Sequence, residues 1–149
     1  AHHHGEDISM KLMVYLPMVM VIASNVIYHN VSKNTPPDAN PMLSLAGTYL
    51  VSFFCCMIIY LAFMPHDFQT DFGHLNWNTW ALGLAIIGLE AGYLLIYRSG
   101  WAVSQASLIA NICVAVALAV MGVLFYKEHL DLKQVAGIVF CLIGIGLLK

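Results

Sequence analysis

Long apolar stretches alternate with short polar segments along this sequence. A helix needs about 20 apolar residues, with a range of roughly 17–25, to cross the hydrocarbon core of a bilayer. Five stretches meet this requirement and are predicted as spans: residues 12–29, 42–64, 79–97, 101–126 and 132–148. None alternates polar and apolar residues as a strand of a membrane barrel does. The pattern predicts an all-α integral membrane protein with five transmembrane helices in one bundle.

The segments between the predicted spans contain residues that end helices. Residues 30–41 are rich in Pro, Asn and Asp, and residues 65–77 form the longest and most polar connection. Residues 98–100 form a tight turn, and residues 127–131 join the last two spans. The N-terminus begins with a His-rich remnant of a purification tag, and no cleavable signal peptide is expected. The predicted organisation is a tag remnant and tail, residues 1–10, followed by one five-helix membrane domain, residues 11–149.

The composition agrees with a membrane protein and excludes other classes. Apolar residues make up 60% of the chain, charged residues 9%, and the mean hydropathy is +0.79. Because soluble domains carry roughly 25% charged residues, a soluble enzyme is excluded. The net charge of −2 offers no basic surface to a phosphate backbone, so no nucleic-acid partner is expected. The four cysteines lie in apolar stretches, where they act as small apolar side chains.

One acidic residue, Glu90, lies near the middle of the third predicted span. A charge at that depth costs about 2.5–3.5 kcal/mol on insertion scales, so it needs a partner, a water-filled cavity or a proton. Tyr93 and Tyr97 follow at helical spacing on the same face, where hydroxyls can orient the acid and rings can hold a cation. We predict that Glu90 binds a proton or a cationic substrate. The alternative is a protonated Glu90 that only bonds a neighbouring helix.

Polar residues on two other spans are predicted to complete this site. The first span contributes Ser24 and Asn25, and the fourth contributes Ser107 and Asn111. For the serines, the alternative is a hydrogen bond to a carbonyl of the same helix. For the asparagines, the alternative is a hydrogen bond that only joins two helices.

No catalytic residues, cofactor or metal are predicted. The chain has no Ser-His-Asp or Cys-His arrangement in which a base would activate a nucleophile. His66, Asp67, Asp71 and His74 lie in the longest connection, but their spacing fits no compact metal-binding motif. The chain is therefore not expected to be an enzyme.

The positive residues do not favour one orientation in the membrane. The two sides hold three each: Lys11, Lys127 and Lys133 on one, and Lys33, Arg98 and Lys149 on the other. Because Lys and Arg in short loops decide which side faces the cytoplasm, a level count predicts insertion in both directions. Two oppositely inserted copies would form an antiparallel homodimer, the counterpart of the inverted repeats of many transporters. The second half of the fourth span, with the fifth span, is apolar enough to serve as its interface.

Two segments carry a pattern of a known family. The run FYKEHLDLKQVAGIVFCLIGIGLL has an acidic and basic cluster before a Gly-rich last helix, and ASNVIYHNVSK places Asn25 before Lys33. Both resemble the EamA-type domain of the drug/metabolite transporter superfamily, over residues 12–149. The resemblance implies export or exchange of small metabolites or drugs across the inner membrane. Most members carry two such domains in inverted tandem, so the single domain here implies a dimer.

Together these features predict a secondary transporter in the inner (plasma) membrane. It would move a small cationic or amphipathic metabolite or drug by alternating access as a dimer, with proton coupling through Glu90. Its expected partners are the small-molecule substrate, the lipid bilayer and a second copy of the chain. The alternative is a non-transporting membrane subunit, or a half-transporter that requires an unlike partner chain.

Overall fold

A computed structural model describes residues 2–148 as an all-helical chain with six helices. These are α1 His2–Lys33, α2 Pro41–Phe63, α3 Phe68–Gly73, α4 Trp77–Arg98, α5 Val103–Phe125 and α6 Leu132–Leu147. The predicted all-α class is confirmed. Of the five predicted transmembrane helices, four are found as candidate spans and the fifth as a shorter apolar helix, and α3 is a further short helix within the connection between the second and third predicted spans.

Four helices are long and apolar enough to cross a membrane: His4–Lys33, Pro41–Phe63, Trp77–Arg98 and Val103–Phe125. Their surfaces are apolar, as lipid contact requires; Leu84 is 74% exposed and Leu124 is 69% exposed. The fifth predicted span corresponds to α6, which has 16 residues. At about 1.5 Å per residue α6 is about 24 Å long, shorter than a hydrocarbon core of about 30 Å. Full-length spans are thus found for four of the five predicted stretches.

Helix α1 extends beyond the predicted span 12–29 in both directions. Its described residues include most of the predicted tail and the beginning of the predicted connection 30–41. The amide of Asn34 donates to the Asn30 carbonyl at 2.8 Å and the hydroxyl of Thr35 to the Val31 carbonyl at 3.2 Å, just where the helix ends. Hydropathy locates the part of a helix that lies in lipid, so it misses polar helical turns at either end.

Side-chain hydrogen bonds form α3 in a segment that was predicted to be a loop. The hydroxyl of Thr70 donates to Asp67 Oδ2 at 2.9 Å, and the backbone N–H of Asp67 donates to Asp71 Oδ2 at 3.1 Å. The hydroxyl of Tyr60, near the end of α2, donates to the same carboxylate oxygen of Asp71. Asp71 therefore ties this short helix to α2.

Polar residues at the predicted boundaries cap the membrane helices. Asn40 Oδ1 accepts the backbone N–H of Met42 at 3.0 Å at the start of α2, and Asn76 Oδ1 accepts that of Asn78 at 3.0 Å at the start of α4. A reciprocal pair of hydrogen bonds between Asp131 and Gln134 starts α6. Such caps satisfy N–H groups that have no partner within the helix.

The contacts divide the chain into two compact units. One consists of residues 30–99, in which α2 packs against α4. The other consists, within the described part of the chain, of residues 2–29 and 100–148, in which α5 packs against α6. The buried apolar residues of the first unit are Leu45, Tyr93, Leu94 and Tyr97.

Candidate functional site

Glu90 lies near the middle of α4 and is partly buried. The helix runs from Trp77 to Arg98, so both ends lie two turns or more from the carboxyl group. Apolar residues dominate the helix on both sides of it. Glu90 therefore lies at a depth where a carboxylate requires a polar or charged partner.

Tyr49 of α2 lies within electrostatic range of Glu90 on α4. The two side chains interact electrostatically, and α2 and α4 pack against each other in the unit of residues 30–99. The Tyr49 hydroxyl is buried and has no hydrogen-bond partner among the described residues. A buried polar group without a partner costs roughly 1–3 kcal/mol, so a hydrogen bond to a carboxyl group, a water or a ligand would stabilise this hydroxyl.

Tyr49 is not among the residues predicted from the sequence, because nothing in its spacing relates it to Glu90. The two residues lie on different helices, and only the packing of those helices sets the distance between them. The sequence gives only a weak indication that Tyr49 belongs to a polar site: its phenol lies within an apolar stretch that also carries Ser44 and Thr48. The hydroxyl of Thr48 donates to the Ser44 carbonyl at 2.9 Å, so it is satisfied within α2.

Tyr93 and Tyr97 form a stacked pair on α4. Their ring centroids are 6.0 Å apart with 21° between the ring planes, and the residues are 7% and 5% exposed. The Lys33 ammonium lies 5.7 Å from the centroid of the Tyr97 ring. The structure thus brings together the two phenols of the predicted carboxyl face, and it places a cation over the second of them.

Ser24 and Asn25 lie together on α1. With Met20, Val21 and Tyr28 they line a cavity of about 330 Å³. Both residues are exposed, as expected for side chains that face a cavity or a neighbouring surface rather than a packed core. Their position is compatible with a polar contact to a substrate or to another helix, the two alternatives for Asn25.

Ser107 and Asn111 lie on α5. The Ser107 hydroxyl donates to the Val103 carbonyl at 2.6 Å, which is the bond within the helix that was the alternative for the serines. Asn111 is exposed. The Asn111 amide is therefore accessible on the helix surface, whereas the Ser107 hydroxyl already donates its proton to the Val103 carbonyl.

The predicted site residues are divided between the two units. Glu90, Tyr93 and Tyr97 belong to the unit of residues 30–99, whereas Ser24, Asn25, Ser107 and Asn111 belong to the other unit. Their roles in substrate or proton binding stay predictions.

In the connection after α2, Asp71 has a structural role. The hydrogen bond from the Tyr60 hydroxyl, and after it the one from the Asp67 backbone N–H, hold the pKa of the Asp71 carboxyl below its ordinary value. Both donors favour the ionised form of the acid. Asp71 acts here as an acceptor that organises α3.

Comparison with known proteins identifies the family. The model of the EamA-like transporter family matches residues 12–149, nearly the whole chain. The protein belongs to this family. No curated protein and no solved structure matches the chain. The resemblance of the sequence to the EamA-type domain is thereby confirmed.

Membership of the EamA-like family agrees with the helices described above. The family is one of transporters, and four apolar helices give this member the form of a multi-pass membrane protein.

Proposed function

We propose that the protein is a secondary transporter of the inner (plasma) membrane that moves a small cationic or amphipathic metabolite or drug. It works as a dimer, by alternating access. Glu90 binds a proton in one state and the cationic substrate in the other. Because the two compete for one carboxyl group, movement of the substrate in one direction is coupled to movement of protons in the other.

The observation that carries the proposal is the position of Glu90 within α4, with the Tyr49 hydroxyl nearby. A hydroxyl can donate to a carboxylate and accept from a protonated acid. Tyr49 therefore suits both protonation states of Glu90. The ionised state also needs an opposite charge in a medium of low dielectric constant, and a cationic substrate supplies it.

Two features support the dimer. With α6 counted as a fifth crossing, the numbers of Lys and Arg on the two sides are level, which favours copies inserted in opposite directions. In addition, α5 and α6 border an apolar cavity of about 300 Å³, which the side chains of Val116, Ala119, Val123 and Val139 help to line. An apolar, indented surface of this kind suits close packing against a second copy.

The transport test uses the purified protein in proteoliposomes, with ethidium as the cationic probe and a trapped pH-sensitive dye. With an imposed pH gradient, we expect the wild type to exchange ethidium for protons. Glu90→Gln should abolish both the exchange and its dependence on pH, because the amide cannot be deprotonated. Glu128→Gln makes the same change at an exposed position after α5 and should leave exchange unaltered.

Tyr49→Phe separates the contribution of the hydroxyl from that of the carboxyl. A single hydrogen bond contributes about 0.5–1.5 kcal/mol, so we expect exchange to slow by about 2- to 10-fold while its pH dependence remains. Exchange by Glu90→Gln that is as fast and as pH-sensitive as in the wild type would exclude the coupling role. Loss of assembly in Glu90→Gln, seen by size-exclusion chromatography, would instead favour a subunit that requires an unlike partner.

A further inference from the structure

A small cavity with a polar lining lies at one end of the unit formed by residues 30–99. It has a volume of about 120 Å³ and is bordered by the last turn of α1, the loop that follows, and the end of α4. The polar residues that line it are Ser32, Lys33, Thr35, Tyr97 and Arg98. None of the described residues that line it is acidic.

Arg98 is fixed at this cavity by the loop. Its guanidinium donates from Nη2 to the backbone carbonyls of Pro36, at 3.4 Å, and Ala39. Carbonyl oxygens carry no net charge, so these bonds orient the guanidinium without neutralising it. A guanidinium has five N–H donors in all, which allows it to bind an anion while it holds the loop.

Lys33 is fixed by the aromatic pair on α4. Its ammonium lies 5.7 Å from the centroid of the Tyr97 ring, and that ring is stacked on Tyr93 and buried. The negative face of an aromatic ring attracts a cation at this distance. Two positive charges from different helices therefore meet at one cavity.

The helix ends do not cancel this positive charge. Lys33 and Arg98 are the last residues of α1 and α4, where each C-terminus is equivalent to roughly half a negative elementary charge. The two full positive charges of the side chains are larger than the two partial negative charges of the helix ends, so the helix ends offset only part of the positive charge. The acidic residue of the same loop, Asp38, is exposed and does not line the cavity.

We propose that this cavity binds a phosphate-type anionic group, with Lys33 and Arg98 as its charge partners and the Ser32 hydroxyl as a further donor. Both helices are candidate membrane spans, so their last residues lie at the level of the phospholipid headgroups. A volume of about 120 Å³ suits a phosphate group but is small beside the roughly 300–1,000 Å³ of pockets for drug-sized ligands. The group belongs to an anionic phospholipid or to a soluble phosphate compound. This binding site does not depend on the proposed transport at Glu90.

The experiment measures binding to the delipidated, purified full chain by native mass spectrometry and by thermal stability. One arm adds phosphatidylglycerol or phosphatidylcholine, and the other adds inorganic phosphate. Lys33→Gln removes one charge from the cavity, and Lys133→Gln is the matched control at an exposed residue of α6. Because a Lys near the membrane surface contributes about fivefold to the binding of an anionic lipid, we expect about fivefold weaker binding in Lys33→Gln alone.

Each outcome decides a part of the proposal. Preference for phosphatidylglycerol that is weakened by Lys33→Gln but not by Lys133→Gln supports the site and identifies a lipid headgroup. Stabilisation by inorganic phosphate with the same dependence on Lys33, without lipid preference, supports the site and identifies a soluble source. Equal effects of Lys33→Gln and Lys133→Gln on binding, in both the lipid arm and the phosphate arm, overturn the proposal. Arg98 also holds the loop, so it is left unchanged. The second variant is Lys33→Arg, which keeps the positive charge and should restore binding.

Discussion

At the scale of single residues, the end of α5 depends on Gly122. Gly122 is buried, and a Cβ at this position would collide with the carboxylate of Glu128. The backbone N–H of Glu128 donates to the Gly122 carbonyl at 3.0 Å, and Lys127, with φ of 55°, turns the chain back to allow it. The absence of a side chain at Gly122 thus leaves room for the Glu128 carboxylate beside the helix that precedes the loop.

We expect Gly122→Ala to lower stability relative to Gly137→Ala. Replacing a helical glycine by alanine contributes about 0.5–1 kcal/mol on its own, and Gly137 of α6 has open space around its Cβ position. At Gly122 part of the gain is offset because the Glu128 carboxylate, the far end of a flexible side chain, must move, so the melting temperature in detergent should rise less for Gly122→Ala than for Gly137→Ala. Adding Glu128→Ala should restore the gain at Gly122. An equal rise for both single variants would contradict this account.

Residues differ in how far the sequence reveals their role. The position of Glu90 within an apolar helix was predictable, because a carboxyl group in an apolar run stands out wherever the helix packs, whereas its role stays a prediction. The bond of Ser107 to its own helix was an open alternative, since it depends only on local geometry. Tyr49 was not predictable, because its nearness to Glu90 arises from the packing of α2 against α4.

At the scale of elements, α3 depends on one carboxylate. Asp71 accepts hydrogen bonds from the Tyr60 hydroxyl and the Asp67 backbone, and these lower the pKa of its carboxyl. A group whose pKa is lowered on folding stabilises the fold above its unfolded pKa. That contribution is lost as the pH falls through the folded pKa. The docking of α3 onto α2 should therefore weaken in acid.

Tyr60→Phe tests this link. Without the hydroxyl, the pKa of Asp71 should move up toward its ordinary value, and α3 should open at a higher pH than in the wild type. Hydrogen exchange of residues 67–74, followed across the acidic range, measures the opening. Tyr126→Phe, which removes an exposed hydroxyl after α5, should behave as the wild type. Identical exchange in all three proteins would show that the Tyr60 bond does not hold α3.

The elements show where hydropathy is informative and where it is not. The long spans were predictable because burial in lipid requires about 20 apolar residues whatever the neighbours. The polar turns that extend α1 and the short α3 were not, because hydrogen bonds of Asn34, Thr35, Thr70 and Asp71 hold them. The span assigned to residues 132–148 was predicted from composition, which does not fix the length of a helix.

At the scale of the whole molecule, the level charge count predicts that copies insert in both orientations. We would replace the four exposed native cysteines and introduce His74→Cys in the connection after α3. An impermeant thiol reagent should label about half of this protein from each side of the membrane. Asp38→Cys, in the loop on the opposite side of α2, should give the same result.

The two cysteine sites also provide the control for this prediction. If His74→Cys reacts from one side only and Asp38→Cys from the other only, the orientation is fixed. An antiparallel homodimer would then be excluded, and a parallel dimer or an unlike partner would have to complete the transporter.

The short length of α6 has a consequence for the surrounding lipid. A helix of about 24 Å in a core of about 30 Å leaves a hydrophobic mismatch of about 6 Å, and each ångström costs a fraction of a kcal/mol. Lipid beside α6 must thin, or α6 must be covered by protein. The first response would favour a thinner bilayer around the protein. The second would favour contact of α6 with another protein surface, because such contact relieves the deformation of the bilayer.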